Sequence, residues 1–308
     1  MPWNIKQDII DSTDFKTRCV LRKCSKTLRS QVNDSNALLL PIAFYFSEHR
    51  VELTWGNEDG VEIVVHYRSE ANGCSVNGKF LFGENHIERS VADFAAVARH
   101  PKTLVDDVFV CDDSDMSMLR TLENQRILSI FEKEFASFPL RMQNLQFFLR
   151  LNQEDVMRVL ALTRPGILKS IGFVAEDGWQ DTDELVTSEH WRMAREVQML
   201  GFQNIPAWSL VHFQRWHVNE MQITELDARA FVEKIFEFGE SFGGGDCRTT
   251  LTLETLNYFV TNFDLQISGD LLVFDKKMPY TMYYLRITIQ VIDNVSSDIT
   301  FYKIMPPK

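Results

Sequence analysis

The sequence predicts an α/β chain. A short helical head is followed by an antiparallel β meander, then by strand–helix units that build a largely parallel, curved sheet, and last by a β segment. Three observations carry this. Apolar residues recur at helical spacing in a basic amino-terminal stretch. Runs of β-branched and aromatic residues between positions 39 and 82 are broken by turn residues. A helix–turn–strand order then repeats along the rest of the chain.

Composition limits the classes to consider. The chain has 308 residues, of which 45% are hydrophobic and 24% charged, as in a folded globular protein. That length corresponds to roughly two domains. No apolar run approaches the ~20 residues that span a bilayer. The longest, Ala37 to Phe46, reads as a strand, so no membrane association is expected. The opening Met-Pro-Trp-Asn lacks the basic-then-apolar pattern of a signal peptide. Five cysteines, odd in number and without a C-x-x-C pair, read as free thiols in a reducing compartment, cytoplasmic or nuclear. The net charge of −11 argues against direct nucleic-acid binding.

The charge is uneven. Lys6, Lys16, Arg18, Arg22, Lys23, Lys26 and Arg29 face only Asp8, Asp11 and Asp14 within the first 32 residues, so the head carries +4 and the remainder −15. A basic head on an acidic body predicts an acidic partner for the head. Ile5, Ile9 and Ile10 share a helical face, and Pro2 fits a first turn, where no amide hydrogen is needed. Asp14 is placed to cap a second helix with Phe15, Val20, Leu21 and Cys24. Ser25 restarts a third with Leu28 and Val32. Helices this short bury little by themselves and need the body or a partner.

The pattern P-x-x-I-x-x-x-I-I at Pro2 to Ile10, then Phe15, then V-L-R-K-C-S-K-T-L-R-x-x-V at Val20 to Val32 resembles the F-box. It is most similar to the variant in the nematode F-box A family. The resemblance implies a three-helix F-box docking on the Skp-type linker subunit, and through it on the cullin, of an SCF (Skp, cullin, F-box) ubiquitin ligase. Carried over by position, Pro2, Ile5, Ile9, Ile10, Phe15, Val20, Leu21 and Leu28 would supply the apolar face. Arg22, Lys23 and Arg29 would form a charged rim. The family's leucine-containing lead-in before the proline has no counterpart here, which predicts weakened docking.

The body reads in order. Strands are expected at Leu39–Ser47, Val51–Trp55, Val61–Tyr67 and Ser75–Phe82, with turns at Asn57–Gly60 and Asn72–Gly73. Ser90 and Asp93 suggest a capping box for a helix to about Arg99, and Leu104–Cys111 a strand. The order recurs as strand Leu145–Leu151, helix Glu154–Thr163, turn Arg164–Gly166 and strand Leu168–Val174. Helices are then expected at Glu189–Arg195, Ala207–Phe213 and Leu226–Phe238, and strands at Val197–Phe202, Trp216–Ile223 and Thr249–Leu253. Strands at Leu271–Asp275, Tyr283–Ile292 and Ile299–Ile304 close the chain. Strand starts about 20–35 residues apart are near the period of leucine-rich-type repeats. The runs at Asn72–Gly78, Ile167–Ile171, Glu189–Glu196 and Ile205–Phe213 resemble the same family's β region and FTH domain. The implied division is an F-box at 1–36, a β-rich segment at 37–117 and an FTH-type substrate-binding domain at 118–308.

No catalytic constellation is legible. His212 and His217 flank a helix–strand junction and read as packing or surface residues. Gly239 to Asp246 is Gly-rich but lacks the Gly-Lys-Ser/Thr of a phosphate loop and reads as a flexible connection. Asp112, Asp113 and Asp115 lack the glycine and closing glutamate of a calcium loop. Glu176 to Glu184, with Trp179, reads as a solvated acidic turn and a rim for a basic peptide. Trp191, Trp208 and Trp216 are core residues or, where exposed on the sheet, anchors for a bound protein. The expectation is a non-enzymatic, cofactor-free adapter that recruits an unidentified protein substrate to the ligase. The alternative is a ligase-independent interaction scaffold, for a protein or protein–RNA complex, whose F-box no longer docks.

Overall fold

The computed structural model describes residues 10, 13, 17, 21, 24–34, 37–39, 41–56, 63–99, 103–112, 120–175, 182–202, 204–238, 242–268, 271–279, 281–291 and 297–305. Two compact units emerge. One comprises Met1–Leu149 with Arg158–Leu168, the other Arg150–Met157 with Lys169–Lys308.

In the first unit, helix α1 (Lys26–Asp34) precedes strands β1 (Ala37–Leu39), β2 (Ile42–Ser47), β3 (Arg50–Trp55), β4 (Ile63–Glu70), β5 (Gly73–Val76) and β6 (Lys79–Phe82). Helix α2 (His86–Ala98), β7 (Thr103–Asp112), α3 (Arg120–Phe135) and β8 (Met142–Leu151) follow. The strand order is β8-β7-β2-β3-β4-β5-β6, with β1 also on β7. β1, β2 and β8 run parallel to β7, and β2 to β6 form an antiparallel meander. Period-two patterning builds the core. Ile42, Phe44 and Phe46 are buried while Ala43, Tyr45 and Ser47 face the other side. Phe44 meets Phe94 of α2 and Phe131 of α3 edge-on, each at 5.5 Å.

In the second unit the strands are β9 (Ser170–Ala175), β10 (Glu196–Leu200), β11 (Arg215–Ile223), β12 (Gly244–Leu251), β13 (Asp264–Ser268), β14 (Leu271–Lys277), β15 (Tyr284–Val291) and β16 (Ser297–Ile304). Their order is β9-β10-β11-β12-β16-β15-β14-β13. The first four are parallel and the rest antiparallel. Helix α4 (Gln153–Ala161) starts in this unit and ends in the first. Helices α5 (Asp183–Thr187), α6 (Glu189–Met193), α7 (Glu225–Phe238) and α8 (Leu253–Asn262) and a 3₁₀ turn (Ala207–Leu210) connect the strands. Trp216 packs on Phe231 of α7, and Phe231 on Phe301 of β16. Thr224 and Asp227 cap α7 reciprocally, each side chain accepting from the other's backbone N–H.

Several expectations need correction. Ser75–Phe82 is a hairpin, not one strand. Asn77 and Gly78 take φ of 48° and 81°, the pair of positive values that a two-residue turn uses. Helix α2 begins four residues before Ser90. Asn85 caps it by accepting from the Ile87 and Glu88 amides, and the Ser90 hydroxyl instead bonds the Ile87 carbonyl. Ala207–Phe213 forms only the short 3₁₀ turn after Pro206. The glycine-rich stretch is not simply a flexible connection, because Gly244 and Gly245 open β12. Thr252 and Leu253, expected at a strand end, cap and open α8. Helices α3, α5 and α8 and strand β13 had no counterpart in the sequence reading.

Candidate interaction surfaces

The head is seen in part. Ile10 is buried and helical, and the Thr13 hydroxyl donates to its carbonyl at 2.7 Å. Leu21 and Leu28 are half-buried. Ser25 caps α1 by accepting from the Leu28 amide at 3.0 Å, as its position suggested. Lys26 and Arg29 are exposed on that helix. Gln31 is buried, and its amide has no hydrogen-bond partner. Pro2, Ile5, Ile9, Phe15, Val20, Arg22 and Lys23 lie outside the described residues, so the docking face cannot be assembled from them.

The second unit offers a surface that the sequence reading missed. One face of β9 to β12 is buried, through Phe173, Val197, Met199, Trp216, Val218 and Cys247, and there Trp216 packs on Phe231 of α7. The alternate residues form cross-strand polar pairs on the other face. Glu196 and Arg215 are register partners joined by an ion pair, with the Arg215 Nε donating at 2.9 Å. His217 Nδ1 lies 2.6 Å from Asp246 Oδ2, also in register. Arg248 Nε reaches Asp298 Oδ1 at 3.1 Å. These pairs are largely solvent-facing, so each adds under ~1 kcal/mol to stability. Together they form a patterned row of donors and acceptors on that face. The legible signal was the alternation in R-W-H-V-N at Arg215–Asn219.

The histidines have separate tasks. His212 Nε2 lies 2.9 Å from the Trp191 carbonyl, and its ring contacts Phe213. Burial lowers its pKa, against the raising effect of the Trp191 and Ser209 backbone bonds. A His–Asp pair is part of a hydrolytic triad, but the strand neighbours of His217 are Gln198 and Asp246, neither a nucleophile. Among the described residues, no three His, Cys, Asp or Glu side chains converge as metal ligands. Trp191 and Trp216 are buried, with Trp191 Nε1 donating to the Ser209 carbonyl at 3.2 Å. Trp208 is about half exposed, but in the 3₁₀ turn and not on the sheet. Trp179, Asp113 and Asp115 lie outside the described residues.

Two family models match this chain: the F-box domain over residues 1–39 and the FTH domain over residues 125–265. The curated "F-box A protein 224" of Caenorhabditis elegans is 24% identical over 242 residues, which cover 74% of this chain and 60% of that protein. The chain thus matches less than two thirds of that relative's length. Among solved structures, an S-adenosylmethionine-dependent methyltransferase from Clostridium acetobutylicum matches at 8% identity over 59% of this chain and 64% of that one. Its TM-score of 0.15 carries no argument. The domain architecture is consistent with a non-catalytic adapter. The chain thus shows an F-box match at its amino-terminal end and an FTH match after it, with a weak similarity to a nematode F-box A protein.

Proposed function

We propose that this chain is the substrate-recruiting adapter of an SCF-type ubiquitin ligase. Residues 1–36 dock on the Skp-type linker, and through it on the cullin, while the body holds a protein substrate. The observation that carries this is the order of domains, F-box then FTH. The basic head, +4 on a chain of −11, supports an acidic linker as its partner. The mechanism is proximity: the adapter raises the effective concentration of substrate near the ubiquitin-charging enzyme and makes no covalent bond itself.

The leading candidate for the substrate face is the polar row of β9 to β12, at Glu196, Arg215, His217 and Asp246. Parallel strands starting at 170, 196, 215 and 244, with largely helical connections, support a leucine-rich-like repeat reading of this region. The free thiols of Cys74 and Cys247 support a reducing compartment, cytoplasm or nucleus.

The test is a pull-down with purified linker subunit. Wild-type protein is expected to bind, and Ile9→Asp with Leu21→Asp to lose at least tenfold in affinity. If wild type fails to bind, or the double variant binds equally, the ligase reading is wrong and a ligase-independent scaffold takes its place.

A further inference from the structure

We infer that one face of the first unit's sheet, at Asp107 and Phe109 of β7, docks an arginine side chain from a basic segment of a partner protein. Helices α2 and α3 pack on the opposite face, where Phe44 meets Phe94 and Phe131, and Phe131 meets Phe147. Val108 and Val110 point to that helix-covered face and are buried. The register of β7 with β8 runs unbroken from the Asp107–Asn144 pair to the Cys111–Phe148 pair. Alternation therefore puts Asp107 and Phe109 on the face turned away from the helices, together with Asn144, Gln146 and Phe148. All five are half-buried. Phe148 meets the Phe109 ring edge-on at 5.4 Å, and Tyr45 of β2 lies against the same ring at 5.7 Å. The three rings form a continuous aromatic step across β2, β7 and β8.

A carboxylate at the foot of this step selects the occupant. Asp107 Oδ1 is buried and accepts no hydrogen bond. The amide of its register partner is engaged elsewhere, with Asn144 Nδ2 donating to the Asp106 carbonyl at 3.1 Å. Burial raises the Asp107 pKa, the neighbouring Asp106 charge raises it further, and among the described residues no cation offsets them. An uncompensated, half-buried carboxylate is unfavourable, and an incoming cation relieves it. The ring beside it favours guanidinium over ammonium, because a planar guanidinium stacks on an aromatic face while its fork reaches a carboxylate. Phe109 and Asp107 stand about 7 Å apart along the strand, within the span of such a group. Other cations on this face are remote. Arg50 and Arg68 stand level with Ser47, four residues along β2 from Ala43, the partner of Phe109. That is about 13 Å along the strand, with further strands between, and beyond the ~8 Å Debye length. Arg50 is also paired with Glu52 at 4.0 Å. Arg150 is six residues along β8 from Asn144, about 20 Å. The net charge of −11 attracts a basic segment.

The probe is a fluorescent peptide, Gly-Ser-Arg-Gly-Arg-Gly-Ser, titrated into the full chain and read by anisotropy, beside versions with lysine or citrulline in place of arginine. Saturable binding of the arginine peptide is expected. Asp107→Asn should weaken it at least tenfold and Phe109→Leu several-fold. The lysine peptide should bind several-fold more weakly, and the citrulline peptide, which keeps the shape without the charge, should not bind measurably. Glu88→Gln removes an exposed carboxylate on α2, off this face, and should leave binding unchanged. If Phe109→Leu lowers the denaturation midpoint, Asp107→Asn decides the matter alone, since removing an unpartnered charge should not destabilise the fold. No binding, or equal losses in Asp107→Asn and Glu88→Gln, overturns the proposal, the second outcome meaning only general attraction to an acidic chain. A wild-type dimer that becomes monomeric in Asp107→Asn also overturns it and assigns the face to a second copy.

Discussion

Gly245 lies against the indole of Trp216. The two are register partners on β12 and β11, and a Cβ on Gly245 would fall on the ring carbons Cδ2 and Cε2. Trp216 has little room to retreat, since Phe231 and Phe301 pack on it at 5.7 and 5.8 Å. Gly245→Ala is therefore expected to cost at least about 1–3 kcal/mol in urea unfolding and to perturb tryptophan fluorescence. Gly78→Ala is the contrast. It meets nothing in space but must hold a φ of 81°, so it should cost roughly 1 kcal/mol and leave the fluorescence unchanged.

Asp275 and Arg286 form a two-pronged ion pair across β14 and β15, at 2.8 and 2.7 Å, with the carboxylate almost wholly buried. Breaking it from one side leaves a buried charge. Arg286→Leu should cost about 3–5 kcal/mol, while Asp275→Leu with Arg286→Leu should recover much of that loss. A double-mutant cycle in chemical denaturation checks the coupling.

His86 opens α2, is buried, and has no hydrogen-bond partner at either ring nitrogen. Burial, helped by the positive charges of Arg126 and His49, lowers its pKa to about 4. The unfolded value is about 6.5, so between these pH values the unfolded chain binds the extra proton. This contribution to stability is complete above pH ~6.5 and is lost as pH falls toward 4, about 3 kcal/mol in all by the linkage relation. His86→Leu should flatten unfolding free energy against pH across that window. At pH 8 it should be no less stable than wild type, because two unsatisfied nitrogens are gone.

Thiol reactivity should divide by burial. Cys24 is exposed, whereas Cys74 and Cys247 are buried and burial raises both pKa values. Peptide-mapped iodoacetamide labelling of the native protein at pH 7.5 should modify Cys24 within minutes and spare Cys74 and Cys247 until denaturant is added. Rapid native labelling of Cys247 would contradict the packing of β12.

Legibility in the sequence followed a physical rule. Elements written in strong local periodicity were visible: β2 in its alternating Ile-x-Phe-x-Phe, β7 and β11 in similar runs, and α1 in the serine that caps it. Helix α3 was missed. Its buried Ile127, Leu128, Phe131 and Phe135 do share a face, but they sit among charged residues with no strong start signal. The hairpin at Asn77–Gly78 was missed although its turn dipeptide was present, because the alternation of Ser75–Phe82 runs straight through it.

The sequence by itself determined the α/β class, the parallel strand–helix alternation and the order of an F-box-like head before an FTH-like body. These depend on local spacing and on motifs that survive in one dimension. Only the tertiary structure decided which residues meet across strands. It set Glu196 beside Arg215 and His217 beside Asp246, although each pair is far apart in the chain. It also turned Gly245 from part of a flexible loop into the seat of Trp216 and left Phe80 and Phe82 uncovered at an edge. The reason is physical: strand register is fixed by burial of one face and by turn geometry together, and neither partner's sequence states where its neighbour will lie.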